Sequence, residues 1–266
     1  MGQGSHTAMA QIAAEVLHIP TEDVTVIHSD TDVTPFDMAT LGSRSLFHSG
    51  NAVKLAAQDA KRQLDELRKE LKLAADCAIS EIFLEKYHMR AGSVMGAGNF
   101  IPPYTPPDAN GQTENATPFW MVGATGVEVE VDTETGRVKV TRMVNVADVG
   151  TPINPKIVET QLSGASIMQL GFTLFEKMLF DEQGQLRNAS LAEYKIPGML
   201  DIPPDMINEA VVAEQRSGPF GEKGVGETAT FGVSPAIANA VHDAVGVRVT
   251  ELPLNPEAVF NAMQKR

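Results

Sequence analysis

Between Gly218 and Gly232 the chain reads GPFGEKGVGETATFG, a glycine-rich stretch that holds two acids, Glu222 and Glu227. A carboxylate moved into apolar surroundings binds its proton more tightly, which suits it to general-base work near neutral pH. The neighbouring residues separate the two acids. Glu222 precedes Lys223, and that pairing predicts a solvated ion pair. Glu227 follows Val225-Gly226 and leads into the uncharged run from Thr228 to Val241. Those neighbours predict a desolvated carboxylate able to take a proton; a plain turn is the alternative reading.

Three further glycine clusters could meet a ligand. Gly2-Gln3-Gly4 lies just before an amphipathic pattern, and free backbone N–H groups at a helix start attract an anion or a carbonyl oxygen. Gly42-Ser43-Arg44, in a loop running to Gly50, stands ahead of a second helix, where small residues admit a ligand and an arginine can pair with phosphate. Gly164 and Gly171 fall in an apolar helix, where small residues more often serve close helix packing. Any of these is also compatible with a simple turn, and none is a signature as specific as a phosphate-binding P-loop.

Composition removes several classes. The 266 residues carry a formal net charge of -13, so the phosphate backbone of nucleic acid and an anionic membrane are poor partners. No apolar run approaches the roughly 20 residues needed to span a bilayer. Cys77 is the single cysteine. It cannot form an internal disulfide or hold an iron–sulfur cluster, so nothing ties the chain to an oxidising compartment and a cytoplasmic location is expected. The six histidines show no zinc-site spacing, and no protein metal site is expected.

The elements that must position these clusters read as α+β. Ala8, Ile12, Ala13 and Val16 make one face of a first helix that Ser5 or Thr7 could cap. Val24 to Ile27 reads as a strand. Val53, Ala56, Ala60, Leu64, Leu67 and Leu71 predict a helix over 51–71 with a charged outer face. Val127, Val129 and Val131 alternate with acids, turn at 133–136 and resume at Val138 and Val140, which predicts a hairpin. A second hairpin is expected around Gly184. Asn154-Pro155, Ser234-Pro235 and Asn255-Pro256 each start a helix. The Pro/Gly-rich stretch between 96 and 118 predicts a connection between a lobe over 1–95 and a second lobe over 119–266. The chain opens on a turn with no strand before it, so it is expected to begin inside a larger fold.

Taken in order, MGQGSHTAMAQIAAEVL, GSRSLFHSGNAV, VEVEVDTETGRVKVTRMVNVADVGTPINP, YKIPGMLDIPPDM and GPFGEKGVGETATFGVSPAIANAVHDAVGVRVTELPLNPE resemble one family. They are similar to the C-terminal part of the molybdopterin-binding subunit of the xanthine dehydrogenase/aldehyde oxidase family of molybdenum hydroxylases. The resemblance implies two mixed sheet-and-helix lobes, truncated at the N-terminus, and a molybdopterin cofactor, often a cytosine dinucleotide, whose molybdenum takes no protein side chain. Gly2, Gln3 and Gly4 would lie at the pterin, Gly42, Ser43 and Arg44 at its phosphate, and Gly226 would also bind the cofactor, beside Glu227, the implied catalytic base. The implied substrate is an N-heterocycle or an aldehyde, and the electrons would leave through iron–sulfur and flavin subunits. The N-terminal half of the molybdenum subunit would be a further partner in a homo- or hetero-oligomer. An inactive structural fragment that binds no cofactor is the competing expectation. Two positions depart from the family pattern. Met168 stands where many members have Gln, which removes support for Gln169 as a cofactor ligand, and Glu222 replaces a small residue.

Overall fold

The computed structural model describes residues 1–28 and 30–265. The chain divides into two compact units. The first comprises residues 1–120 and 214–224, and the second residues 121–213 and 225–266.

Among its described residues the first unit is helical. Helix α1 spans Ser5–Leu17, α2 Ser45–Glu70 and α3 Ile79–Tyr87, with single 3-10 turns at Thr21–Asp23 and Pro219–Gly221. Ala8, Ile12 and Val16 are buried on α1 as the periodicity predicts, joined by Ala10 and Ala14 rather than by Ala13. Neither Ser5 nor Thr7 caps this helix; the N-cap is Gly4, at φ 87°. The strand expected at Val24–Ile27 is extended chain without strand pairing. Among the described residues it has no neighbour in this unit to share a ladder with.

Helix α2 begins six residues before the expected start, and the expected loop from 45 to 50 is helical. Gly50, read as a breaker, is buried inside it for a packing reason. A Cβ there would come within 3.0 Å of Ile12 Cδ1 and of Pro219 Cγ, so glycine lets α1 and the returning segment close on the helix. Phe47 is fully buried, its ring 5.7 Å from Phe100 and 4.9 Å from Phe119. The outer face of α2 is laced by Lys61–Asp65, Arg62–Asp59, Arg62–Glu66 and Arg68–Asp65 ion pairs. Solvated pairs of this kind add little stability.

Helix α3 carries no strong sequence signal. Its first turn is held by Glu81 Oε2, which accepts from Ala78 N at 3.3 Å, and Ile82 and Phe83 pack against Leu64. The glycines that follow lie against helix backbone. A Cβ on Gly98 would stand 2.2 Å from the Ala52 carbonyl oxygen and 2.4 Å from Ala56 N. Neither atom can yield without unwinding α2. The Gly98→Ala variant is therefore expected to lose roughly 1–3 kcal/mol, read as a lower urea midpoint with unchanged slope. An unchanged midpoint would show that the segment lifts off α2 freely.

The second unit holds the sheet. Strand β1 is Gly123–Val131, β2 Val138–Asp148 and β3 Asp205–Val211; helix α4 is Pro155–Leu174, α5 Val233–Val245 and α6 Pro256–Gln264. The predicted hairpin is β1–β2, antiparallel, with a register shift between Glu128 and Val129. Gly136 turns it at φ 75°. Strand β3 adds to β2 in parallel after the α4 crossover, giving the order β1-β2-β3. The second expected hairpin is a single antiparallel bridge, Phe180 to Leu186, around Gly184. Asn154 Oδ1 accepts from Ile157 N at 3.1 Å and Asn255 Oδ1 from Ala258 N at 2.9 Å, so both Asn-Pro helix starts cap as expected.

Val140, Met143, Leu170, Val233, Ile237 and Val241 form the larger core of this unit. A polar rung crosses the sheet beneath it. Thr125 Oγ1 donates to Asn145 Oδ1 at 3.1 Å, Asn145 Nδ2 to Asn208 Oδ1 at 3.1 Å, and Asn208 Nδ2 to Ser163 Oγ on α4 at 2.8 Å. Asn145 is 1% exposed, and this rung satisfies the polar atoms that its burial removes from water. The fold is α+β, and among the described residues its sheet lies in the second unit.

Candidate cofactor-binding and catalytic site

In the first unit the two predicted glycine turns stand at the starts of α1 and α2. Gly2 and Gly4 both take φ 87°. Gly42 and Ser43 take φ 55° and 54°, the latter a left-handed conformation unusual for a residue with a Cβ. Neither helix has a side-chain cap hydrogen bond at its N-terminus. The first-turn N–H groups are thus not capped by side chains, and a Cβ added at Gly2 or Gly42 would meet nothing within 4 Å. Gln3 is half-buried between its glycines.

Arg44 follows directly as the N-cap of α2. Its Nη1 is buried with no hydrogen-bond partner among the described residues. A guanidinium N–H withdrawn from water without an acceptor is costly, and an anion would satisfy it. The carbonyl of Arg44 accepts from His48 N at 2.8 Å, and His48 Nδ1 lies 3.1 Å from the same oxygen. Burial, set against that hydrogen bond, holds the His48 pKa below its usual value.

The glycine-rich segment enters this unit at residues 214–224. Gly224 sits against the Ser43 carbonyl so closely that a Cβ on it would fall 1.6 Å from the oxygen. Asn51 Nδ2 donates to the Ser217 carbonyl at 2.9 Å and to Phe47 O at 2.8 Å. Lys223 Nζ reaches the Trp120 carbonyl at 3.3 Å.

The two acids exchange the environments that their neighbours in sequence suggested. Glu222 is not solvated; it is 1% exposed, and neither carboxyl oxygen has a partner among the described residues. Burial pushes its pKa up to about 8. Glu227, in the second unit, is exposed rather than desolvated. It lies in a turn that ends at α5, and its carbonyl accepts from Thr230 N at 3.1 Å and Thr230 Oγ1 at 2.7 Å. Gly226 beside it is half-buried, while Thr228 after it is buried. The reason for the exchange is a turn. Phe220 at φ 56° and Gly221 at φ 86° fold the chain back on itself, so the residue after Gly221 points inward. No spacing in the sequence announces that turn.

Gln169 is spent within the second unit. Its Nε2 donates to Ser234 Oγ at 2.6 Å, and Ser234 Oγ also meets Thr173 Oγ1 at 2.7 Å, which ties α4 to α5. Among the described residues no three His, Cys, Asp or Glu side chains converge on a metal position, and no helix is long and apolar enough to cross a membrane.

The first unit carries two glycine turns at helix starts without side-chain caps, and the second an exposed acid in a glycine-rich turn. The chain belongs to the molybdopterin cofactor-binding domain family, whose model matches residues 1–203, and to the molybdenum-binding subunits of the xanthine dehydrogenase/aldehyde oxidase type. It is 32% identical over its full length to the "Probable hypoxanthine oxidase XdhD" of Escherichia coli (strain K12) and spans 28% of that protein. The aldehyde oxidoreductase from Desulfovibrio desulfuricans superposes with a TM-score of 0.85 at 30% identity, covering 98% of this chain and 28% of that one. Quinoline 2-oxidoreductase from Pseudomonas putida gives 0.82 at 27% identity, covering 100% and 36%. The chain therefore spans about a third of the length of the proteins it matches.

Proposed function

We propose that this chain is the cofactor-cradling, base-carrying part of a cytoplasmic molybdenum hydroxylase that converts an N-heterocycle, purine-like in character, or an aldehyde to its hydroxylated product. The balance is RH + H2O → ROH + 2H⁺ + 2e⁻, with water the source of oxygen. The observation that carries the reading is the buried, unpartnered Nη1 of Arg44 beside the left-handed Gly42-Ser43 turn. It is a cationic donor group lacking an acceptor, in a chain of a molybdopterin-binding family. A pterin phosphate fits that donor set, with Gly2, Gln3 and Gly4 offering backbone and amide donors to the pterin.

When bound, molybdopterin, in this reading as its cytosine dinucleotide, supplies the molybdenum that accepts the two electrons. The chain's own residues do the rest. Ser43 and Arg44 would hold the phosphate, Gln3 would orient the pterin through its amide, and Gly226 would lie at the cofactor beside Glu227. Glu227 takes the proton released as oxygen is delivered to the substrate carbon. The electrons would pass to iron–sulfur and flavin partner subunits; Cys77 alone gives these residues no set of cluster ligands. The remainder of the molybdenum subunit completes the assembly.

The test is to assemble the chain with the remainder of the molybdenum subunit and its electron-transfer subunits, then measure molybdenum and pterin per complex. Near-stoichiometric loading is expected, with pterin retention falling at least tenfold in Arg44→Ala. A well-folded complex without molybdenum or pterin would instead make the chain a cofactor-free structural fragment.

A further inference from the structure

We propose that Glu222 is a proton-held latch: its neutral carboxyl, sealed beneath the Pro219–Gly221 turn, keeps Gly224 seated on the Ser43 carbonyl, and its ionisation frees the loop and loosens the Ser43-Arg44 turn.

The geometry places Glu222 between two fixed points. At one end Ser217 is held to α2 by Asn51. At the other Gly224 presses on Ser43 without room for a Cβ. Within the loop Gly221 N donates to Gly218 O at 3.1 Å and Glu222 N to Pro219 O at 3.2 Å. A Cβ on Gly218 would fall 1.8 Å from the Glu222 carbonyl oxygen. Pro219 is packed on Gly50 of α2. The Glu222 side chain has no slack in which to reach water while this turn stays closed. A carboxyl sealed this way, without a hydrogen bond, is tolerated neutral and strongly penalised when charged.

No charged group nearby is bonded to the Glu222 carboxyl. On the same segment Arg216 Nε pairs with Glu214 at 2.7 Å, and Lys223 reaches the Trp120 carbonyl. On α2 and its cap, Lys54 lies 4.6 Å over the Phe220 ring, His48 is turned to the Arg44 carbonyl, and Arg44 Nη1, though unpartnered, makes no hydrogen bond to the carboxyl. On α1, His6 stacks on His28 at 4.7 Å, while Glu15 and His18 are exposed. None of them hydrogen-bonds the Glu222 carboxyl. Water is then the available relief for an ionised Glu222, and reaching it requires the turn to open. Opening unseats Gly224, whose contact with Ser43 is steric rather than bonded.

The direction of control follows from linkage. The closed loop holds its proton up to about pH 8, whereas an open, solvated Glu222 returns to the ordinary carboxylate value of 4.5. Opening therefore becomes about tenfold easier per pH unit between those limits and levels off above the upper one. The loop is tight in acid and loose in mild base, and it leads by direct chain connection into Gly226 and Glu227. This control stands apart from the proposed catalytic reading, because it is a property of the chain without cofactor.

Amide hydrogen exchange on the chain, corrected for intrinsic rates, tests it from pH 5.5 to 9. Protection of residues 218–224 and 43–45 is expected to fall about tenfold per unit to near pH 8 and then plateau. In Glu222→Gln it should stay constant. Infrared titration of the unsubstituted chain supplies the second measurement, in which a protonated carboxyl band should disappear near pH 8. Protection that does not vary with pH, or that varies equally in Glu222→Gln, overturns the latch. So does a carboxyl already ionised at pH 6. Should the Gln variant fail to fold, the infrared and exchange titrations of the unsubstituted chain decide by their coincidence.

Discussion

Replacing Glu227 by Gln in the cofactor-loaded complex is expected to lower kcat by about 10²–10⁴-fold while leaving molybdenum content and melting temperature unchanged. The range is that of a positioned general base. Gln keeps the shape and polarity of the side chain but cannot accept a proton. The side chain is exposed, so the exchange opens no cavity and buries no unsatisfied group. Steady-state rates normalised to bound molybdenum provide the measurement. Activity within about tenfold of the unsubstituted complex would remove Glu227 from the chemistry and leave it a turn residue.

Glu222 predicts the second large effect, on global stability. The buried carboxyl titrates near 8 in the folded chain and near 4.5 when unfolded. A pKa raised by folding contributes stability that is complete below pH 4.5, declines as pH rises and is gone above about 8. At about 1.4 kcal/mol per unit, the contribution lost across that window is on the order of 5 kcal/mol. In Glu222→Gln the buried amide keeps its own desolvation cost at every pH, so only the slope vanishes. Urea unfolding at unit steps from pH 5 to 9 should show the difference between the two proteins changing steadily and then levelling. A difference that is the same at every pH would mean that the carboxyl reaches water in the folded chain.

What could be read from the sequence divides by the range of the forces involved. The β1–β2 hairpin was legible because a half-buried ribbon imposes alternation on Val127 to Val140, and the Thr133–Gly136 turn falls where that alternation breaks. The α4 and α6 starts were legible because Asn-Pro caps act over three residues. The first turn of α2 was not. Gly50 weakens a helix in isolation and is kept here for contacts with Ile12 and Pro219, which are remote in sequence. The strand expected at Val24–Ile27 had the right residue types but lacked a partner. The two acids were misjudged for the same reason: apolar neighbours in sequence do not bury a side chain when the backbone turns it outward, as at Glu227. An adjacent lysine does not solvate one that a left-handed Phe220 turns inward. The order and spacing of whole segments survived these local errors, and that is where the family likeness resides.

The first unit is closed by a segment that the ribosome delivers late. Asn51 of α2 finds the Ser217 carbonyl 166 positions further along the chain, and the whole β1–β3 unit up to Ala213 is synthesised in between. Closing so long a loop costs entropy before any contact repays it, and distant pairings of this kind slow folding. Helices α1 and α2 must therefore wait, with the face around Gly50 unfinished, until residues 214–224 arrive. A nascent chain stopped near residue 210 should be readily cut by protease within residues 1–120, and one extended past 224 should become resistant there. The segment that carries Glu222 is thus also the last piece of its own unit to be made.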